Sequence, residues 1–320
     1  MQKYLSAYAP SLGELWLIML ALLCVGGSLL SGFVAMVVSL FIQLDLVTLS
    51  LALYPLLFVL VIPFVLIRAQ NSYKEKMMRK IPLFKEEPRS FGSIPAALFF
   101  LLLVVLIPAF VIVVEPLTMW MKMPDFIKEL LGTIGNQGWI SIFSLVIMAP
   151  LLEEWLCRGV ALKGLLRNGY SPAAAIFWSA CMFGVIHMNP WQAIPAFLLG
   201  LLFGWIYWRT RSLGSVIFMH AFNNGLSVAL TRAFPHLPDD ITTYDLAGPR
   251  LYFWILAGAL IVTLSILWVL HKKLSLPPIQ TTEPLQTTEP IHTTEPIHTP
   301  EPLHTPEPIQ TPEPLQTTEL

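Results

Sequence analysis

Three short groups of polar residues stand inside runs that are otherwise apolar. They are Glu153, Glu154 and Arg158 in PLLEEWLCR, Phe183 and His187 in FGVIH, and His220, Asn223 and Asn224 in HAFNN. Ionisable groups in such runs are costly to bury, which makes them functional candidates. On a helix Glu154 and Arg158 are i,i+4 in the acid-first order and can neutralise each other. Glu153 is rotated by about 100° from Glu154 and is left to face a different cavity. Pro150 gives no hydrogen bond to the carbonyl of Val146, so the helix can bend just before the acids. Phe183 with His187, and His220 with Asn224, repeat the i,i+4 spacing, and each pair shares a face. Asn223 lies about 100° away and reads as structural.

A carboxylate, two imidazoles and an amide, partly desolvated, can hydrolyse an amide bond. Glu153 would be the general base on a water, with His187 orienting that water or sharing its proton. His220 and Asn224 would donate to the developing oxyanion. A zinc site of Glu153, His187 and His220 is the competing chemistry, although no HExxH is present. Taken singly, each group also has a plainer explanation: a structural ion pair, an interfacial histidine, a hydrogen bond between helices.

The elements that must position these residues are membrane spans. The chain has 320 residues, 55% of them hydrophobic and 12% charged, with mean hydropathy +0.68. A soluble domain carries about twice that charge. Apolar windows of about 20 residues predict eight spans, near 14–42, 47–67, 94–114, 139–157, 172–188, 191–208, 213–231 and 251–270. The first is too long for a signal-peptide core and reads as a retained span. Segment 116–138 reads as an amphipathic helix on the membrane surface. Loop 68–90 carries seven basic and three acidic residues, and Arg158, Lys163, Arg167, Arg209, Arg211, Lys272 and Lys273 fall on the same side. Basic loops stay inside, which predicts both termini in the cytoplasm and an integral protein of the cell (inner) membrane.

Helix rise gives a depth test. Glu153 lies about 15 residues before the turn at 168–172 and His187 about 15 after it, so antiparallel helices put them at one level. His220 lies only about 7 residues, roughly 10 Å, from the turn at 209–214. It reaches the others only if the 168–172 turn projects further out or the helices tilt.

From Thr281 a six-residue unit repeats, TTEPLQ to TPEPLQ, ending in TTEL. Regular prolines and one apolar residue per unit predict a disordered tail. With seven of the 20 acidic residues in the tail, the remainder carries 19 basic against 13 acidic residues. The expected divisions are 1–138, N-terminal spans with the basic loop; 139–231, the helices bearing the polar groups; 232–274, the last span; and 275–320, the tail. Cys24, Cys157 and Cys181 sit in apolar runs without metal spacing and read as buried apolar residues. No GxSxG, P-loop or Rossmann glycine pattern is present, and nothing points to nucleic acid.

Together and in order, EEWLCR, FGVIH and HAFNN resemble the motifs of the CAAX protease type II and bacteriocin-processing (CPBP or Abi) family, over about residues 139–230. The resemblance implies an all-α membrane fold and an intramembrane endopeptidase. It implies that Glu153 and His187 activate the water, that His220 and Asn224 form the oxyanion site, and that Glu154, Arg158 and Phe183 support them. Both metal-free and zinc mechanisms are proposed for the family. The local geometry favours the first, with no cofactor. The implied partners are membrane lipid and a membrane-associated peptide or protein substrate that can be lipidated; the partner of the tail is open. The alternatives are a non-catalytic scaffold or immunity protein of the same fold, and a proton-coupled transporter.

Overall fold

The computed structural model describes residues 2–84, 88–136, 138–238, 241–275 and 282–283. Its helices are long and apolar. Seven of them have the length and composition to cross a membrane: α1 (Leu12–Ser39), α2 (Tyr54–Met78), α3 (Ala96–Leu117), α5 (Gly138–Arg167), α7 (Pro190–Thr210), α8 (Leu213–Ala233) and α9 (Thr243–Lys273). Between them lie the amphipathic α4 (Asp125–Asn136) and the short apolar α6 (Pro172–Val185). The protein is an integral membrane protein of all-α class.

Two sequence expectations change in detail. The fifth expected span, α6, has 14 residues, or about 21 Å, short of the ~30 Å hydrocarbon core. It stops because Asn189-Pro190 starts the next helix: Asn189 caps α7 by accepting from the Gln192 N–H, with Pro190 in the first turn. Met188 takes a φ of +53° to make the turn. The second change concerns the basic loop. α2 continues to Met78, so Arg68, Lys74 and Lys76 are on a helix rather than in a connection. A four-residue segment, Thr242–Asp245, opens α9 as a capping box, and Gly248 (φ +72°) before Pro249 interrupts that helix.

Most of the basic residues gather at one end of the bundle. There the Arg167 guanidinium donates to the carbonyls of Leu5 and Tyr8, and Asn168 donates to Pro10 O at 3.2 Å. Arg209 donates to the carbonyls of His271 and Leu274. Ser90 N–H donates to Thr210 O, and Ser93 N–H to Lys273 O. Lys76 and Arg167 both lie over the Phe84 ring. Tyr8 and Arg68 donate to one oxygen of Glu14 at 3.0 and 2.7 Å. Burial, and secondarily the Glu14 charge, pushes the Tyr8 phenol well above its ordinary value. A two-residue antiparallel bridge pairs Leu83 with Glu283 and Phe84 with Thr282, so the first repeat unit returns to this end. The rest of the tail lies outside the described residues. At the other end Trp191 Nε1–H donates to Lys122 O at 3.0 Å. α4 lies there too, with Trp120, Phe126 and Trp139 nearby exposed.

α6 and α7 pack as a tight hairpin because glycine lets their backbones meet. A Cβ on Gly184 would lie 2.8 Å from Ala193 O, and one on Gly200 would lie 3.1 Å from Ala180 Cα. Small residues at such contacts are how helices associate where lipid removes the hydrophobic drive.

Candidate active site

α5 supplies the acids. Its hydrogen bonding is widened to i→i+5 over Ile142–Met148 and again over Trp155–Leu162, with ordinary α geometry between, over Ala149–Glu154. Pro150 stands at the start of that ordinary stretch, where its missing N–H costs least. Such wide turns often accompany functional sites because they rotate the residues that follow.

Glu154 and Arg158 are fully buried, Glu153 nearly so at 7% exposure. Arg158 Nη1 donates to Glu154 Oε1 at 2.9 Å, and its Nη2 donates to Gly200 O on α7 at 3.0 Å. The guanidinium stacks on Phe183 of α6 at 4.5 Å and lies 5.5 Å from Phe203 of α7. The expected pair therefore forms, but it has a third member: His220 Nδ1 lies 3.0 Å from the same Glu154 oxygen. A carboxylate opposite Nδ1 calls for an Nδ1–H donor, which fixes the imidazole and turns Nε2 away from Glu154.

His220 reaches Glu154 because the two turns end at different heights. From Glu154 to Arg167 is about 20 Å of helix, from Leu213 to His220 about 10 Å. The α5–α6 turn projects further out and is held there by the N-terminal segment, through Arg167 and Asn168. Gly164 makes room for the Pro10 ring; a Cβ there would lie 2.6 Å from Pro10 Cδ.

Phe183 joins the histidines. Its ring is edge-on to His187 at 5.5 Å and to His220 at 5.2 Å. His187 Nδ1 sits 2.9 Å from the Phe183 carbonyl, which makes Nδ1 the donor and leaves Nε2 an acceptor. Asn224 donates to Leu145 O on α5 at 2.9 Å, and Asn223 donates to Asn224 Oδ1 at 3.3 Å. Asn224 is thus oriented by both neighbours and keeps one amide hydrogen.

Glu153 contacts neither histidine by hydrogen bond. Its Oε1 accepts from the Tyr54 hydroxyl of α2 at 2.5 Å, and its Oε2 is buried with no hydrogen-bond partner among the described residues. Tyr54 was not among the sequence candidates. The available signal was a phenol inside an apolar span, immediately before Pro55.

Residues 135–226 match the family model described as Type II CAAX prenyl endopeptidase Rce1-like. This is the family that the three motifs resemble, and the matched segment holds α5, α6, α7 and the first two thirds of α8, with every motif residue. Tyr54 lies outside it. No curated protein and no solved structure matches the chain. As to a metal, among the described residues no group of three or more His, Cys, Asp and Glu side chains is arranged to hold an ion. Glu153, His187 and His220 do not form such a set, so no step is routed through zinc.

Proposed function

We propose that this chain is an intramembrane endopeptidase that hydrolyses peptide bonds of membrane-associated substrates by a glutamate-activated water. The observation that carries the reading is the contrast between two neighbouring acids. Glu154 faces two basic side chains, its Oε1 accepting from Arg158 and lying 3.0 Å from His220 Nδ1. Glu153 has only the neutral Tyr54 hydroxyl as a hydrogen-bond partner among the described residues, on Oε1, so its charge is not tied to a neighbouring cation.

In the proposed sequence Glu153 Oε2 takes a proton as the water oxygen bonds to the scissile carbonyl carbon. The His187 Nε2 lone pair accepts from the same water and aligns it. Negative charge grows on the carbonyl oxygen, where Asn224 offers its remaining amide hydrogen. His220 donates Nε2–H to that oxygen as the imidazolium, with Nδ1–H held by Glu154. The C–N bond then breaks, and the proton held by Glu153 passes to the leaving amine. Burial of Glu153 and His220 keeps bulk water from them and strengthens their interactions.

The likeness of residues 135–226 to a CAAX prenyl endopeptidase family supports a substrate whose cleavage site follows a lipidated cysteine. The collection of basic residues at one end supports placing that end, and both termini, on the cytoplasmic side of the cell membrane. The test is cleavage of a quenched fluorogenic peptide ending in a farnesylated CAAX sequence, in detergent micelles. Glu153→Gln is expected to insert and fold but not to cleave. Unchanged turnover by that variant defeats the glutamate mechanism. A pH gradient-driven flux in vesicles without cleavage would favour a transporter instead.

A further inference from the structure

We infer that Tyr54 of α2 is a positioning residue of this site, holding the Glu153 carboxylate so that Oε2 is the oxygen presented for proton transfer. The inference rests on the reading of Glu153 as the base. Tyr54 belongs to neither the three motifs nor the segment matched by the family.

The geometry argues for it in three ways. The phenol donates to Oε1, so one of the two carboxylate oxygens is occupied by protein and the other is not. The bond also survives the reaction: when Oε2 gains a proton, Oε1 becomes the carbonyl oxygen of the acid and still accepts. No reorganisation is needed, which is what a preorganised site requires. Third, the backbone that carries Tyr54 is tied down on both sides. Ser144 of α5 donates its hydroxyl to Leu51 O at 2.5 Å, just before Tyr54. Just after it, the turn at Leu57 lies against Gly27 of α1, where a Cβ would sit 2.2 Å from Leu57 O. Pro55 stiffens the same turn. α1, α2 and α5 therefore aim one hydroxyl at one carboxylate.

The titratable groups around Glu153 are Tyr54 from α2 and Cys157 on its own helix. Beyond them lies the Glu154–Arg158–His220 set.

The experiment reads Glu153 directly and needs no substrate. Infrared difference spectra of the full chain in micelles, wild type minus Glu153→Gln, isolate the Glu153 carboxylate band. With Tyr54→Phe this band should shift in frequency at a fixed pH, because Oε1 loses its donor. With Tyr54→3-fluorotyrosine, nearly isosteric and a stronger donor, it should shift in the opposite direction. The second variant keeps the test decisive if the first does not fold. In the peptide assay Tyr54→Phe should lower kcat about 10- to 100-fold, the effect of one bond to a charged group, with KM changed by less than about threefold. An unmoved band in 3-fluorotyrosine protein overturns the inference. If the band moves but Glu153→Gln still cleaves, the contact stands and the base assignment fails. If Glu153→Gln is inactive and the band does not move, Tyr54 alone is refuted.

Discussion

The buried Glu154–Arg158–His220 set allows a worked prediction. Replacing Arg158 by Met keeps the side-chain volume but leaves the Glu154 carboxylate, with no solvent exposure, bound only to His220. It also removes the donor to Gly200 O and the cation on Phe183. Breaking one side of a buried pair costs about 3–5 kcal/mol because a charge is left uncompensated. At about 2–4 °C per kcal/mol for chains of about 200 residues, the midpoint of thermal unfolding falls by about 6–20 °C. Glu154→Gln strands Arg158 and should cost a similar amount. The double variant strands neither charge, so it should be more stable than the sum of the singles by at least about 2 kcal/mol. The assay is thermal unfolding in one detergent, followed by near-ultraviolet dichroism and intrinsic fluorescence, for all four members of the cycle. Strictly additive losses of less than about 1 kcal/mol each would refute the reasoning. They would mean that the pair is solvated rather than buried as a unit with His220.

Further predictions follow from other contacts. Asn224→Ala should lower kcat by about 10²–10³-fold, the usual loss of one oxyanion donor, with KM nearly constant; a pure KM effect would place Asn224 in binding instead. Gly27→Ala forces the Leu57 backbone aside and should lower both the unfolding temperature and turnover, measured on the same preparation, by displacing the turn that carries Tyr54. Chelators applied to the purified protein should leave peptide cleavage unchanged, whereas loss of activity restored by zinc would reinstate a metal site. Removing residues 281–320 should leave cleavage in micelles intact; lost activity would make the tail part of the machine. Asp45 caps the helix Leu46–Ala52 and is held below the ordinary carboxylate value, first by the Thr48 hydroxyl and then by its N–H. A depressed carboxyl contributes above its unfolded pKa and is lost as pH falls through its folded one. Hydrogen exchange at residues 48–52 should therefore accelerate below about pH 4 relative to the rest of the bundle, and Asp45→Ala should remove that acid dependence.

Much of this protein was legible in one dimension. Apolar windows located every long helix, because a span is defined by its own length and composition and needs no partner. The Glu154–Arg158 pair, and the shared faces of Phe183 with His187 and of His220 with Asn224, followed from i,i+4 spacing, since residues on one helix are held together by the helix itself. The amphipathic segment after α3 was readable on the same grounds. The short α6 was less so: its apolar run continues through Ile186, and only the cap at Asn189-Pro190 and the left-handed Met188 show where it ends.

Tertiary structure decided the rest. Spacing gave His220 a depth that did not match Glu153 and His187, and the mismatch is resolved by a turn that Arg167 and Asn168 fasten to residues 5–10. It also decided that His220 is oriented by Glu154, and that Glu153 meets a phenol nearly a hundred residues earlier in the chain rather than an imidazole. Contacts between helices depend on relative depth and rotation. Those are set by where each turn docks and how closely glycines let the backbones approach, and no local pattern of residues encodes either.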